Sequence, residues 1–344
     1  MPATGYQSNA EGSGKKRLLS PACVLMTGTV VGIFLTGTMM FGANIVHGQT
    51  YPDRAIRIIT GPPGSDNDIA ARTIAQGISG PLDQPVIVDN RASTGVVPIE
   101  AVAKARPDGY TVLVIGSSLW TIPLIQKTSY DPVKDFLPVS LLTSTPSVLV
   151  VHPSLPVKSV KELIALAKAK AGALNYSSGV AGGFSHLAAE LFKSLAGVNI
   201  VQIAYKGSAQ SVIAVLGGEV ELTFGSVVPV APNVKSGKLR ALGITSAEPS
   251  ALLPGLPTIA AAGVPGYEAV VSNGLLAPAG TPAAIVNRLN QATVRLLKST
   301  ETKEMFLRSG VEAVGSSPEQ FALAIKAEMA RLGKVIKGSG LKIE

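Results

Sequence analysis

The sequence predicts a two-lobed α/β protein in which each lobe is a mixed, mostly parallel sheet flanked by helices. Hydrophobic residues make up 46% of the 344-residue chain and charged residues 15%, a balance typical of a folded protein. Predicted strands alternate with predicted helices, as they do where parallel sheets are covered by helices. The alternation occurs in two successive blocks, and the chain is long enough to give each block its own core.

Strand and helix patterns in the first block predict the first lobe. Strands are predicted over 55–60, 86–89 and 110–115, with helices from residue 69 to a stop at Gly77 or Gly80 and over 97–105. We place this lobe at residues 51–147 and expect residues 274–344 to return to it. Two late helices are predicted to begin at Thr281-Pro282 and Ser317-Pro318, because proline is favoured at the first helical position.

The second lobe is predicted over residues 148–273. Ser159 and Glu162 form a capping box, in which the serine accepts from a free helix N–H and the glutamate reaches back; the helix that follows is predicted to end at Gly172. The remaining elements are strands over 174–177, 200–204, 220–224 and 239–245, and helices over 185–195 and 209–216.

The N-terminus predicts an export signal over residues 1–49. A cluster of positive charge, Lys15–Arg17, precedes an uncharged and mostly apolar stretch, residues 18–46, which is the order found in secretory signals. The apolar stretch is long, so an uncleaved membrane anchor is an alternative to cleavage after Ala43 or Gly48. Either way, the protein is expected outside the cytoplasmic membrane, in the periplasm.

Several kinds of site are excluded or disfavoured by composition. Cys23 is the only cysteine and lies in the signal, so the mature chain has no disulfide or thiolate chemistry. Two mature histidines, His152 and His186, do not form a metal-ligand cluster, and we expect neither a metal nor a cofactor. Without the signal, which holds three basic residues and one acidic residue, the net charge falls from +8 to 27 minus 21, or +6. This charge is dispersed along the mature chain, so nucleic-acid binding is not expected. Trp120 is interpreted as a core residue, with contact to an aromatic ligand as the alternative.

Polar loops at strand ends form the candidate site. Five loops rich in Gly, Ser, Asn or Asp open directly into helices, at residues 64–68, 117–118, 178–185, 206–208 and 225–226. Ligands of open α/β sheets bind outside the carboxyl ends of the strands, and helix N-termini present free N–H groups that suit anions. Each loop alone is better interpreted as a simple helix cap, but together they favour an anion-binding cleft.

Longer motifs of the chain resemble those of the Bug-type receptors of tripartite tricarboxylate transporters. The matching motifs are YPDRAIRIITGPPGSDND, DNRASTG, PDGYT, YDPVKDF, NYSSG, AYKGSAQ, GKLRALGIT and APAGTP, in that order along the mature chain. The resemblance implies a two-lobed, periplasmic-binding-protein-like (type II) fold. It also implies cleft closure about a hinge, a small organic carboxylate as ligand, and permease subunits in the membrane as partners; we expect a monomer.

The resemblance also implies a set of ligand-binding residues. In the first lobe these are Gly64, Ser65, Asp68, Ser117 and Ser118. In the second lobe they are Ser178, Gly182, Tyr205, Lys206, Ser208 and Ser226, although Tyr205 and Lys206 are equally suited to shaping their loop.

Departures from the family pattern fall in or near the cleft loops. Ser65 replaces a glycine, Ala92-Ser93 replaces Pro-Gly, and Ile122-Pro123 replaces Asn-Pro. Asn67 stands where a small or hydroxyl residue is common, and Gly183 where a hydroxyl is common. These changes concern the ligand contacts more than the fold.

Transport is therefore the favoured function, and no catalysis is expected. Two alternatives from other classes are a ligand-sensing receptor for a membrane signalling partner and an exported serine hydrolase that uses Ser185 and His186. The hydrolase has no G-x-S-x-G motif to support it.

Overall fold

The computed structural model of the protein describes residues 51–91, 96–179 and 183–339. The predicted export signal and Gly182 lie outside these ranges. The described strands are β1 (Ile56–Thr60), β2 (Val86–Asn90), β3 (Thr111–Gly116), β4 (Phe136–Val151), β5 (Asn175–Ser178), β6 (Val201–Ala204), β7 (Leu222–Ser226), β8 (Arg240–Ile244), β9 (Val270–Pro278) and β10 (Glu312–Ala313). The described helices are α1 (Asp66–Leu82), α2 (Val96–Ala103), α3 (Ser118–Thr121), α4 (Val160–Ala169), α5 (Phe184–Ala196), α6 (Ser208–Leu216), α7 (Val227–Lys235), α8 (Ala283–Lys298), α9 (Thr300–Arg308) and α10 (Pro318–Ser339).

Two groups of strands share one long strand, β4. In the first sheet the order is β2-β1-β3-β9-β4-β10, with β1 parallel to β2 and β3, and β9 antiparallel to both of its neighbours. In the second sheet the order is β6-β5-β7-β4-β8, with β5 parallel to β6 and β7. Each sheet is therefore mixed: the parallel pairs predicted from the strand–helix alternation occupy one side of each sheet, and the antiparallel pairs made by β4 and β9 occupy the other.

The change from one sheet to the other falls within β4. Pro146 is the last residue of β4 that pairs with β9, and Ser147 is the first that pairs with β7. The chain returns at Ala269, whose N–H donates to Thr245 O at 2.9 Å, while the next residue, Val270, pairs with Pro146. Among the described residues, two strand segments thus cross between the sheets, and a relative movement of the sheets must bend the backbone at these two connections.

Separate apolar clusters cover the sheets. In the first sheet, Ile58 and Ile74 lie in the cluster beneath α1 and α8, while Trp120 belongs to a second cluster, so its predicted core position is confirmed. Tyr176 and Phe192 are buried in a cluster of the second sheet. Burial of such large side chains contributes about 1.5–3 kcal/mol each to folding.

Helix α10 packs on both sheets. Phe321 and Ile325, near its beginning, belong to the same cluster as Trp120, whereas Val335, near its end, belongs to the cluster of Tyr176. Its apolar residues recur at helical spacing, so the buried stripe runs along most of the helix. The C-terminal helix therefore passes over the boundary between the sheets.

Local sequence signals set several helix ends. Ser159 Oγ accepts from Glu162 N–H at 3.2 Å, and Gly197 closes α5 with φ 63°. The predicted stop of the first helix at Gly77 or Gly80 is wrong, because α1 continues to Leu82. A Cβ on Gly77 would lie 2.3 Å from Leu296 Cδ2, so this glycine allows α8 to approach α1.

Candidate functional site

A cavity of about 370 Å³ lies where the loops of the first sheet meet α5 and α10. Four parts of the fold line it: the beginnings of α1 and α3, the first turns of α5, the chain entering β9, and the second half of α10. The lining residues are Ser65, Asp66, Asn67, Gly116, Ser117, Ser118, Thr121, Phe184, Leu187, Ala188, Glu268, Ala269, Val270, Val271, Asn273, Glu328, Arg331 and Leu332. The volume suits a small organic molecule.

The first turn of α1 contributes helix N–H groups. Ser65 is the N-cap; its Oγ accepts from Asp68 N–H at 3.3 Å and donates to Pro62 O at 2.8 Å. The early N–H groups of a helix, here those of Asp66 and Asn67, have no intrahelical partner. They carry the positive end of the helix dipole and favour an anion at this wall of the cavity.

The buried side chain of Asp68 stabilises the first turn of α1. Its buried carboxylate accepts from Gly64 N–H and Asn90 Nδ2, both at 2.8 Å, and from Arg72 Nε at 3.1 Å. Burial acts to raise its pKa, but these hydrogen bonds and the charge of Arg72 outweigh burial and lower the pKa. Asp68 is thus held as an anion by the protein, and neither it nor Gly64 lines the cavity.

Two hydroxyls at the end of β3 face the cavity. Ser117 and Ser118 are half-buried, and their hydroxyls have no hydrogen-bond partner in the described part of the chain. Gly116 precedes them, and a Cβ there would lie 3.2 Å from both Asn67 Oδ1 and Asn273 Oδ1. Glycine therefore keeps space between these two side-chain amides, and the serines are available to donate to a ligand.

Helix α5 provides the opposite, more apolar wall. Phe184, Leu187 and Ala188 line the cavity, and the N-cap of the helix is Gly183. Ser185 Oγ accepts from Gly179 N–H at 3.1 Å. This wall suits the carbon skeleton of a ligand.

The other predicted second-lobe residues do not line this cavity. Ser178 is buried and accepts from Gln202 Nε2 at 2.7 Å, while Tyr205 Oη donates to Glu219 Oε2 at 3.1 Å. Lys206 and Ser208 are exposed at the start of α6, and Ser226 is half-buried at the end of β7. Of the eleven predicted residues, the structure thus brings Ser65, Ser117 and Ser118 together around the cavity.

Charged residues from the C-terminal part of the chain were not predicted. Arg331 Nη1 lies 2.9 Å from Glu268 Oε2, and Trp120 Nε1 donates to Glu328 Oε2 at 2.8 Å. Burial raises the pKa of Glu328 to about 7, against the opposite effects of the Trp120 hydrogen bond and Arg331. The local sequence contains only a weak signal for these residues. Glu328 and Arg331 lie three residues apart on an amphipathic helix, and such a charge pair by itself indicates a solvent-exposed face.

His186 is buried in the second sheet's side of the molecule, and burial lowers its pKa. Its Nε2 lies 3.8 Å from Glu190 Oε1.

Across residues 51–91, 96–179 and 183–339, no group of three His, Cys, Asp or Glu side chains is placed to hold a metal ion. No helix in these ranges is long and apolar enough to span a bilayer.

A cleft between two α/β sheets, lined by helix N-termini and by hydroxyls without a partner among the described residues, is suited to a protein that binds a small ligand. The family model described as "Tripartite tricarboxylate transporter family receptor" matches residues 70–341. The chain belongs to this family of receptors, and the resemblance drawn from its motifs is confirmed.

Known relatives share the fold over most of the chain. Protein BugT of Bordetella pertussis is 36% identical over 320 residues, which cover 92% of this chain and 98% of BugT. Rpa4515 of R. palustris, solved with adipate, is 36% identical with a TM-score of 0.65, over 85% of this chain and 99% of that one. A TctC solute binding protein from Polaromonas is 27% identical with a TM-score of 0.79, over 84% and 100%. The predicted two-lobed, periplasmic-binding-protein-like fold is confirmed.

Proposed function

We propose that this protein binds a small organic carboxylate outside the cytoplasmic membrane and delivers it, chemically unchanged, to the membrane subunits of a tripartite tricarboxylate-type transporter. The observation that carries this proposal is the polar end of the cavity, where the start of α1 and the unpaired hydroxyls of Ser117 and Ser118 converge. Such donors hold a carboxylate without a dedicated cation. The bound adipate of the relative Rpa4515 supports the same ligand class.

Thermal unfolding of the purified protein against a panel of small organic acids tests this proposal. A ligand that binds only the folded state adds about 2.7 kcal/mol of stability at 100 times its Kd, so a bound acid raises the midpoint clearly. The panel includes the amide of each acid as a control, since the amide keeps the shape and loses the charge. Equal shifts with acids and amides, or no shift with any acid, would contradict the carboxylate proposal.

We expect Ser118→Ala to weaken acid binding by about 0.5–1.5 kcal/mol, because one donor to the bound carboxylate is lost. Titration calorimetry with whichever acid gives the largest thermal shift measures the change. Ser236→Ala is the matched control, since Ser236 is exposed at the end of α7 and does not line the cavity. Equal acid affinities of Ser118→Ala and the parent protein would show that the hydroxyl at the start of α3 does not bind the ligand.

The predicted role of Ser208 is tested in the same experiment. Ser208 begins α6 outside the cavity lining, and the family resemblance nevertheless implies a ligand contact. If Ser208→Ala weakens binding as Ser118→Ala does, the bound protein brings α6 to the ligand. Unchanged affinity in Ser208→Ala would restrict the site to the cavity.

We also propose that the two predicted lobes, residues 51–147 with 274–344 and residues 148–273, close over the ligand, with Val270–Asn273 of β9 moving with the first lobe because they pair with β4 there. The change of pairing partner at Pro146–Ser147 and at Ala269–Val270 supports a hinge in these two crossing segments. Small-angle scattering should show a decrease in the radius of gyration at saturating acid. The decrease is expected to be small because α10 packs on both sheets; identical scattering curves with and without acid would exclude closure.

A further inference from the structure

A glutamate on β10 joins the two sheets outside the ligand cavity. Glu312 Oε1 accepts from Ser250 Oγ at 2.6 Å and from Ala251 N–H at 2.9 Å. Glu312 belongs to the first sheet, where β10 pairs with β4 at Thr143 and Ser144. Ser250 and Ala251 lie in the loop after β8 of the second sheet, and Ser250 is buried. One carboxylate thus connects the edge of the first sheet to a loop of the second sheet.

A second contact between the sheets lies on the same edge. A Cβ on Gly310, just before β10, would lie 2.3 Å from Val228 Cγ2 in the first turn of α7, so these two residues touch. Leu252 and Leu253, which follow the loop of Ser250, pack against the same apolar cluster as α7. The chain around β10 therefore contacts two parts of one cluster of the second sheet.

These contacts and the ligand cavity lie on opposite sides of the strands that cross between the sheets. In the first sheet the order of strands is β3-β9-β4-β10. The cavity lies at the end of β3, where Gly116, Ser117 and Ser118 line it, whereas Glu312 lies on β10. The crossing strands, β9 and β4, run between the two positions.

A rotation of one sheet relative to the other about the crossing segments has opposite effects on the two sides. Movement of α5 toward Ser117 and Ser118 narrows the cavity, and the same rotation carries Ser250 and Ala251 away from Glu312. Such hinge rotation is a common way to enclose a ligand. Since a donor and an acceptor about 3.6 Å apart no longer form a hydrogen bond, a small rotation is enough to break both bonds of Glu312.

We propose that Glu312 is a positioning residue for ligand binding, because its bonds to Ser250 and Ala251 hold the cavity open and thereby lower the affinity for the carboxylate. The inference rests on the proposed function, and in particular on closure of the two lobes over the ligand. Affinity falls in proportion to the fraction of molecules in the arrangement that binds the ligand. Bonds that exist only in the open arrangement reduce that fraction, so their removal raises the affinity.

The first test is titration calorimetry of the full-length protein with the acid that gives the largest thermal shift. Glu312→Ala should lower Kd at least fivefold, and Ser250→Ala, which leaves the bond from Ala251, about twofold. Glu312→Gln keeps an acceptor oxygen and should bind as the parent protein does. A misfolded variant cannot imitate the expected result, because loss of structure lowers the affinity.

Glu248→Ala is the charge-matched control for Glu312→Ala. Glu248 is exposed, and with Glu312 it lines a separate cavity of about 320 Å³ between the sheets, so its removal changes the charge at nearly the same place. Its Kd should stay within about twofold of the parent value. An equal gain of affinity in Glu248→Ala and Glu312→Ala would assign the effect to the lost negative charge and overturn the inference, as would an unchanged or higher Kd in Glu312→Ala.

The second test locks the same contact. Cys23 is the only cysteine of the chain, so in a Cys23→Ser background the pair Ser250→Cys and Glu312→Cys places one thiol on each side. Joining the thiols with a short bis-maleimide should weaken acid binding at least tenfold, relative to the same variant treated with N-ethylmaleimide, and should abolish the decrease in radius of gyration on acid binding. Unchanged affinity after joining would overturn the inference and leave carboxylate binding intact, whereas binding of no acid by the parent protein would overturn both.

Discussion

We expect Asp68→Ala to lower the free energy of unfolding by about 2–4 kcal/mol, and to weaken acid binding by at least tenfold. The change removes the acceptor of the Gly64 N–H, the Asn90 amide and the Arg72 guanidinium. Hydrogen bonds to charged groups contribute about 1.5–3 kcal/mol each, although the exposed Arg72 adds little. Ser65 and Asn67, which line the cavity, lie between Gly64 and Asp68. The hydrogen bond from Gly64 N–H to the Asp68 carboxylate fixes this loop, so its loss should weaken binding.

Urea unfolding and titration calorimetry measure the two effects. Glu304→Ala is the matched control, because Glu304 and Arg308 form the same i,i+4 type of ion pair on an exposed helix face at 3.9 Å, where such pairs contribute about 0.3–0.5 kcal/mol. Unchanged ligand affinity in a destabilised Asp68→Ala protein would show that the loop keeps its shape without the carboxylate.

The lowered pKa of Asp68 adds an acid dependence to the same experiment. A carboxyl group whose folded pKa lies below its unfolded value stabilises the fold above the unfolded pKa and loses that contribution as pH falls toward the folded pKa. An aspartate in an unfolded chain has a pKa of about 3.9, so the difference in unfolding free energy between the parent protein and Asp68→Asn should narrow below about pH 4. A constant difference down to pH 2 would contradict this account.

A second large effect is expected where β9 meets α10. A Cβ on Gly274 would lie 2.1 Å from Phe321 Cζ, so Gly274→Ala should destabilise the protein by about 1–3 kcal/mol through overpacking. Phe321 is buried, and Phe321→Ala should cost about 3–5 kcal/mol through the cavity that it leaves. The loss of unfolding free energy in the double variant should be smaller than the sum of the losses in the two single variants, because each change relieves the packing defect that the other creates.

Urea unfolding of both single variants and the double variant measures the coupling. Gly338→Ala is the control, because a Cβ at that exposed position of α10 would have no described atom within 4 Å outside its own helix and chain neighbours, so alanine there should not destabilise the protein. If the losses of unfolding free energy in the two single variants add up in the double variant, α10 must shift to accept the new methyl group of Gly274→Ala. Since Phe321 also contacts Trp120, with ring centroids 5.9 Å apart, such a shift should be accompanied by a change in tryptophan fluorescence.

The second prediction concerns a contact between residues far apart in the chain, Gly274 and Phe321, and such contacts were the least predictable part of the molecule. The strand β4 was not predicted, because prolines and hydroxyl residues interrupt its apolar pattern; it forms as strand because β9 and β7 supply partners along its length. At Gly77 the error was the reverse, because an element was predicted to end where it continues. Its sequence context predicts a helix end, but packing of Leu296 against it stabilises a continuous helix.

The longer motifs of the sequence indicated the family, and the residue pattern determined the strand–helix alternation, the capped helix starts and the polar loops at strand ends. These features depend on hydrophobic periodicity and on hydrogen bonds between residues a few positions apart. Only the tertiary structure decided that Ser65, Ser117 and Ser118 share a cavity while Ser208 and Ser226 lie outside its lining, and that Glu328 and Arg331 complete the wall. Strand order and the path of α10 arise from pairing and packing between segments far apart in sequence, such as Trp120 and Glu328, whose hydrogen bond joins residues 208 positions apart. No local pattern encodes which of these segments meet.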